Sequence, residues 1–478
     1  MRKIIQLEKM RNFIAQRIVK PEVIFALVAT TVGLILIFLV PPMQAPDEQT
    51  HFFQSYAVSN FDFVPDEFNE NGKVHYGSKL PVSVYDSAIN FREEVAGKPS
   101  VKFNTQLFEK YIDEPLRPEL TKYVDGTTYA PFVYIPQALG ISVGKLFETS
   151  PLIMIWVGRF LNLLVWILII FLAVKIIPFG KWIMVVLALN PVVVFLSASL
   201  SADVLTIGLA FLFFALVAST LQKGYKITKL MTVALIGVIS LLVLTKPVSI
   251  ILVLLMFIIP RKVFTRRWSY VLFCISALLV MACLYLTWSS LSSDAAHAIS
   301  QLQRPGFGVD SSAQLAHILG DPLNYIKSLL LNYVFVLPGY PGDAVLRSAI
   351  GSFGWLDTFI PLWTVVTYVL LLVFVVLYEA GRGLSLTLYQ RMALILVGML
   401  YFGATCTALY LFYTPVGSTM VSGVQGRYFI PISVLLIGLF TARKKVLDIK
   451  LKTLVIIILT TSIIILTTML LRIALRYY

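Results

Sequence analysis

The stretch VIFALVATTVGLILIFLV (Val23–Val40), followed at once by PPMQAPDEQTHFF (Pro41–Phe53), decides how the rest of the chain is read. Eighteen uncharged residues make a helix about 27 Å long, close to the thickness of a bilayer's hydrocarbon core. Arg2, Lys3, Lys9, Arg11, Arg17 and Lys20 precede it, as in a signal peptide. The run is too long for a signal-peptide core, however, and Pro41-Pro42 stands where a small-residue cleavage site belongs. We therefore expect an uncleaved first membrane helix behind a basic cytoplasmic tail, residues 1–21.

The remainder repeats the pattern. Of 478 residues, 58% are hydrophobic and 13% charged, about half the charged fraction of soluble domains. A water-soluble enzyme, a disordered chain and a coiled coil are excluded. Apolar runs bounded by charges or Pro/Gly predict spans at 22–40, 151–174, 182–200, 203–221, 230–245, 247–260, 269–288, 358–378, 392–413, 428–441 and 453–471. The expected fold is all-α and polytopic, with about eleven transmembrane helices in a single membrane domain, 22–478.

The net charge of +14 suggests a polyanion partner until its distribution is examined. With the amino terminus cytoplasmic, the inner segments carry 22 basic residues against four acidic ones, a net of +18, and the rest of the chain carries −4. That asymmetry is the positive-inside signal, not a nucleic-acid footprint. Two long segments then lie outside. The first, 41–150, holds 15 of the 25 acids and is expected to fold over the surface with amphipathic or interfacial helices. The second, 289–357, contains Pro322–Pro338, where Asn324, Lys327, Ser328 and Asn332 form a polar stripe that suggests a helix lying in the interface. Cys274, Cys283 and Cys406 all sit in apolar runs, so neither a disulfide framework nor a zinc cluster is expected.

Few ionisable residues remain near the outer helix ends, where they call for individual explanation. Asp47 occupies an N-cap position, with Glu48 in the first turn, so capping and dipole complementarity account for both. Alternatively, Asp47 and His51, at i and i+4, share a helix face, with Asp47 as a general base toward a hydroxyl and His51 orienting it. Asp203 reads as a helix cap and Lys246 as a snorkelling lysine. Arg427 opposes the positive end of its own helix, which favours a bound anion. Arg304 and Arg347 read singly as solvated loop charge, and Tyr129 and Tyr134 as part of an interfacial aromatic belt.

These residues also carry a resemblance. Pro42-Met43-Gln44-Ala45-Pro46-Asp47-Glu48 with His51-Phe52, then Lys246-Pro247, Gly351-Ser352-Phe353-Gly354-Trp355-Leu356-Asp357 and Gly423-Val424-Gln425-Gly426-Arg427-Tyr428-Phe429-Ile430-Pro431 resemble, in order, the signatures of the bacterial membrane family catalogued as domain of unknown function 2142. That family is grouped with the C-type (GT-C) glycosyltransferases. The resemblance implies a multi-helix enzyme of the bacterial cytoplasmic membrane with an extracytoplasmic site, a polyprenyl-phosphate sugar donor, and an acidic base after the first helix, the place of Asp47 with Glu48 beside it. The acceptor would be a cell-envelope glycan or glycolipid.

The chemistry is coherent with the residues. A lipid phosphate is a good leaving group, so cations rather than a general acid are needed; Lys246, Arg427, Arg304 and Arg347 are the candidates. Asp47 would deprotonate the acceptor, and one base with a departing phosphate implies inversion. Tyr129, Gln425, Tyr428, Trp355 and Asp357 are the candidate sugar or acceptor contacts. No cofactor is expected; a divalent metal at Asp47, Glu48 and His51 is the less favoured variant. The rival readings are a transporter or flippase of lipid-linked sugars, which calls for charges near the midplane or an internal repeat, and a non-catalytic envelope-assembly protein.

Overall fold

The computed structural model describes residues 20–70, 72–302, 308–331, 341–441 and 444–478. Its first helix, α1 (Pro21–Leu39), starts with proline at the position where a missing N–H costs nothing and ends where Pro41-Pro42 cannot continue it. Six further helices are long and apolar enough to span a membrane: α6 (Pro151–Ile176), α9 (Asp203–Thr220), α11 (Arg267–Leu291), α16 (Leu362–Glu379), α17 (Leu388–Tyr413) and α20 (Leu451–Tyr477). The protein is a polytopic, mainly helical membrane protein, as its hydropathy implies.

Four of the eleven expected segments are shorter or broken. The 182–200 run splits into α7 (Lys181–Ala188) and α8 (Pro191–Ser197) at Asn190, whose side chain accepts the Val192 N–H and caps the second piece. The 230–245 run is α10 (Lys229–Val243), of 15 residues, and 247–260 is wound as 3-10 turns from Pro247 to Ile258. The 428–441 run breaks into α18 (Ile430–Ser433) and α19 (Leu435–Leu439) after 3-10 turns at Gly426–Phe429. Each break follows a proline or a cap inside an apolar run, which hydropathy averaging does not see. The broken pieces α7 and α8 are wholly buried apart from Lys181, and α9 nearly so, forming the centre against which the longer helices pack.

The 41–150 segment holds the expected helices, α2 (Glu48–Val58), α3 (Val82–Val95), α4 (Gln106–Ile112) and α5 (Ile135–Leu146). It also holds an antiparallel three-stranded sheet, β1 (Asp66–Glu70), β2 (Lys73–Pro81) and β3 (Thr121–Asp125), a small addition to a mainly helical fold that the sequence reading did not include. Two residues separate β1 from β2, and Gly72 has φ 76°, the geometry of a tight hairpin. Phe68 and Tyr123 stack across the strands at 4.7 Å. The 41–150 segment is tied to the bundle by α5, which crosses α6 so closely that a Cβ on Gly140 would stand 2.7 Å from the Gly158 Cα.

In the second long segment, Pro322–Leu331 is a helix, α14. It follows α12 (Ser293–Leu302) and α13 (Ser311–Gly320) and precedes α15 (Pro341–Gly351). Asn332 and the rest of the expected stripe to Pro338 lie outside the described residues.

The loops that the charge count assigns to one side meet at one end of the bundle. Glu379 accepts the Trp182 N–H at 3.0 Å, Arg382 donates to the Leu447 carbonyl at 2.8 Å, and Arg391 donates to the Leu439 carbonyl at 3.0 Å. At the other end the last helix is clamped by Arg476, whose guanidinium pairs with Asp357 at 2.9 Å and donates to the carbonyls of Val95, Lys98 and Val101.

Candidate active site

The turn after α1 is organised by a charge inside a membrane span. Arg159, on α6 and fully buried, spends all five of its N–H groups. Nε and Nη2 reach the two Glu48 oxygens at 2.8 Å each, Nη1 caps the Ile37 and Val40 carbonyls at 2.9 and 2.7 Å, and Nη2 also reaches the Pro41 carbonyl at 3.1 Å. The orphan carbonyls that end α1 are thus satisfied by a side chain. Glu48 also accepts the Leu200 and Ala45 amides at 3.1 and 3.3 Å. It is fully enclosed, and Arg159 holds both of its oxygens.

Asp47 is turned the other way. Its backbone is left-handed, φ 59°, and its side chain caps nothing; such a conformation costs on the order of 1–3 kcal/mol in a residue other than glycine. The sequence-based capping role is therefore replaced by an ion pair, because the twist aims the carboxylate at the Arg427 guanidinium, 2.9 Å away. Asp47 stays about half exposed while Arg427 is buried.

Arg427 is held by a close approach. The Gly426 N–H donates to the Ser348 hydroxyl at 2.8 Å, and a Cβ at Gly426 would run into the Val345 carbonyl and the Ala349 backbone of α15. Two carboxylates of the chain itself lie beside Arg427, Asp47 and, 3.8 Å from Nη1, Asp203. Asp203, expected to cap α9, makes no cap hydrogen bond; it pairs with Lys246. Its approach is set by the Ser199–Ser201 turn, whose Ser199 carbonyl accepts from Asn162 at 2.7 Å. Lys246 does not snorkel freely. Its ammonium lies 5.6 and 5.4 Å from the Tyr129 and Tyr428 ring centres, a distance at which the ring faces attract a cation.

His51 shares the helix with Asp47 but bonds elsewhere: Nδ1 is 3.2 Å from the Tyr134 hydroxyl, which also meets Thr127 at 3.3 Å, and the ring stacks on Tyr129. Burial pushes the His51 pKa below its ordinary value, against the pull of Asp47 and Asp203. Among the described residues no three His, Cys, Asp or Glu side chains are grouped to hold a metal ion.

The structure thus brings Asp47, His51, Tyr129, Lys246, Arg427 and Tyr428 together, with Asp203 between the cations. Trp355 joins Asp47 on the wall of an open polar cavity of about 400 Å³, its Nε1 donating to the Met43 carbonyl at 3.1 Å. Lys246 and Arg427 stand behind Asp47 rather than on that wall. Gln425 lines a small separate pocket beside Arg427 and Pro46. Asp357 is placed in the Arg476 clamp, away from this cluster. Arg347 is an exposed residue of α15 next to Ser348, and Arg304 lies outside the described residues. Two residues were not read as part of the site from sequence: Asp203, dismissed as a cap, and Arg159, whose signal is a charge in the middle of an apolar run.

A model of the family described as predicted membrane protein (DUF2142) matches residues 30–436. The chain belongs to the DUF2142 family. The matched region contains every member of the cluster, from Asp47 to Tyr428, and ends before α20 and its Arg476 clamp. No curated protein matches this DUF2142 chain. Two solved structures of ArnT from Cupriavidus metallidurans are similar to it. The one bound to undecaprenyl phosphate shares 15% identity at a TM-score of 0.39, covering 87% of this chain and 59% of that one. The apo form gives 14% and 0.40, covering 87% and 58%. This DUF2142 chain spans about three fifths of the length of those proteins.

Proposed function

We propose that the protein is a membrane glycosyltransferase that moves a sugar from a polyprenyl-phosphate donor to a cell-envelope glycan or glycolipid, with inversion. The membrane is the bacterial cytoplasmic membrane, with the amino terminus inside and Asp47 outside, as the charge asymmetry of the loops supports. The observation that carries the reading is the pairing of a half-exposed carboxylate at a cavity wall, Asp47, with a buried cation, Arg427. A second cation, Lys246, is tied in through Asp203.

The arrangement suits the chemistry. The donor's phosphate competes with Asp47 for Arg427, so donor binding frees the carboxylate at the moment it is needed. Asp47 takes the proton from the acceptor hydroxyl, whose oxygen forms the new bond to the anomeric carbon. The bond from that carbon to the phosphate oxygen breaks, and the electron pair leaves with the lipid phosphate. Arg427 and Lys246 stabilise the charge that develops there. Neutral His51, held by Tyr134, packs against Tyr129 and so fixes the ring that faces Lys246. Glu48 acts through Arg159 as a positioning residue.

The test is compositional. Envelope glycan from cells lacking the protein is expected to lack one sugar, restored by the wild-type chain and not by Asp47→Asn. Unchanged composition without the protein, or full restoration by Asp47→Asn, overturns the reading.

A further inference from the structure

The cavity in front of Asp47 has walls that the donor chemistry does not use. It is lined by residues of α2, α3, β1 and β3 and by Trp355, and it carries two cations laid on aromatic rings. The Arg92 guanidinium is 5.0 Å from the Trp355 ring centre, and the Lys122 ammonium is 4.2 Å from that of Tyr85. All four residues line the cavity. Among the described residues neither Arg92 nor Lys122 has a carboxylate within ion-pair distance.

Two of the three acids that line the cavity are paired, Asp47 with Arg427 and Asp125 with His75 at 2.8 Å, while Glu70 has no ion pair among the described residues. The cavity is thus lined by the Arg92 and Lys122 cations, the Glu70 carboxylate and Trp355, while the Tyr85 and Tyr123 rings are stacked on Phe53 and Phe68. Sugar rings pack on aromatic faces, and cations of this kind recognise phosphate or carboxylate by charge-assisted hydrogen bonds. The cavity's size lies within the range of small-ligand sites.

We propose that this cavity is the acceptor subsite and that it takes an anionic saccharide, one bearing phosphate or carboxylate groups. Arg92 and Lys122 meet the charge, Trp355 packs against a sugar ring, and a hydroxyl is thereby presented to Asp47. The proposal rests on the reading of Asp47 as the base.

The experiment measures binding, without donor and without transfer. Full-length protein in nanodiscs of neutral lipid is titrated, by calorimetry, with a phosphodiester-linked sugar oligomer, a uronic-acid oligosaccharide and a neutral oligosaccharide of equal length. At least one anionic probe is expected to bind about tenfold or more tighter than the neutral one, and to weaken as salt rises. Tighter binding of the phosphodiester or of the uronic acid identifies which anion the site takes. The double variant Arg92→Gln/Lys122→Gln is expected to lose that preference while binding the neutral probe as before; Arg92→Lys/Lys122→Arg, which keeps the charge and reports on folding, is expected to retain most of it. Equal binding of charged and neutral probes, or an unchanged preference in the Gln variant, overturns the proposal. Anionic binding that depends on Arg92 and Lys122 in a protein that transfers no sugar leaves the site standing and removes the enzyme reading. Transfer without any such preference does the reverse.

Discussion

Asp47 and Glu48 are adjacent acids at the start of one helix, and their surroundings divide them completely. Glu48 is enclosed against Arg159, so Glu48→Gln leaves a buried guanidinium without its counter-charge, a loss of about 3–5 kcal/mol. The expected outcome is a large drop in folded yield and melting temperature; a stable Glu48→Gln protein contradicts the structural role assigned to it. Asp47→Asn keeps a side chain that tolerates left-handed backbone and leaves Arg427 its second partner, Asp203, so the fold is expected to survive. His51 gives a pH test. Its pKa is lowered in the folded protein by burial, so the unfolded chain takes up the proton first, and the stability His51 contributes when neutral is lost as pH falls through about 6.5. Melting temperature measured from about pH 7.5 to 5 should fall, and more shallowly in His51→Gln; an identical slope in the variant contradicts the assignment. At this scale Asp47, Lys246 and Arg427 were legible because charges at membrane helix ends are rare. Their partners were not, because the Asp47–Arg427 pair joins residues 380 apart in the chain.

The elements show which sequence signals fail and why. Apolar runs report where the chain is buried, not whether a helix continues, so Asn190-Pro191 and Pro431 break segments that hydropathy alone joins. The loop sheet was missed although Asn71-Gly72, between short strands, is a hairpin signal; the strands are five to nine residues long and their alternation is weak. The broken elements are where the site is built: Lys246 precedes one set of 3-10 turns and Arg427 lies in another. Gly426→Ala tests that coupling, because the added methyl must push the Arg427 segment away from α15. It is expected to cost about 1–3 kcal/mol and to raise the KM for a lipid-linked donor. Unchanged donor KM and melting temperature together contradict the placement of Arg427 by that contact.

For the molecule as a whole, the polytopic architecture was readable from the period and length of the apolar runs, and the grouping of loops from charge. The net +14 resolves into basic loops that meet at one end of the bundle, while the acid-rich 41–150 segment and the Asp47 cluster occupy the other. A sequence with so few charges outside that pattern makes the exceptions conspicuous, and four of them, Asp47, Asp203, Lys246 and Arg427, converge. The central claim is that this convergence is a sugar-transfer site with Asp47 as its base. It is tested most directly by reconstituting wild-type and Asp47→Asn proteins, matched in melting temperature, with a labelled polyprenyl-phosphate sugar and an envelope acceptor fraction, and measuring label transferred. Wild-type protein is expected to transfer label and the variant to do so roughly 10²–10⁴-fold more slowly; transfer by Asp47→Asn at the wild-type rate contradicts the account.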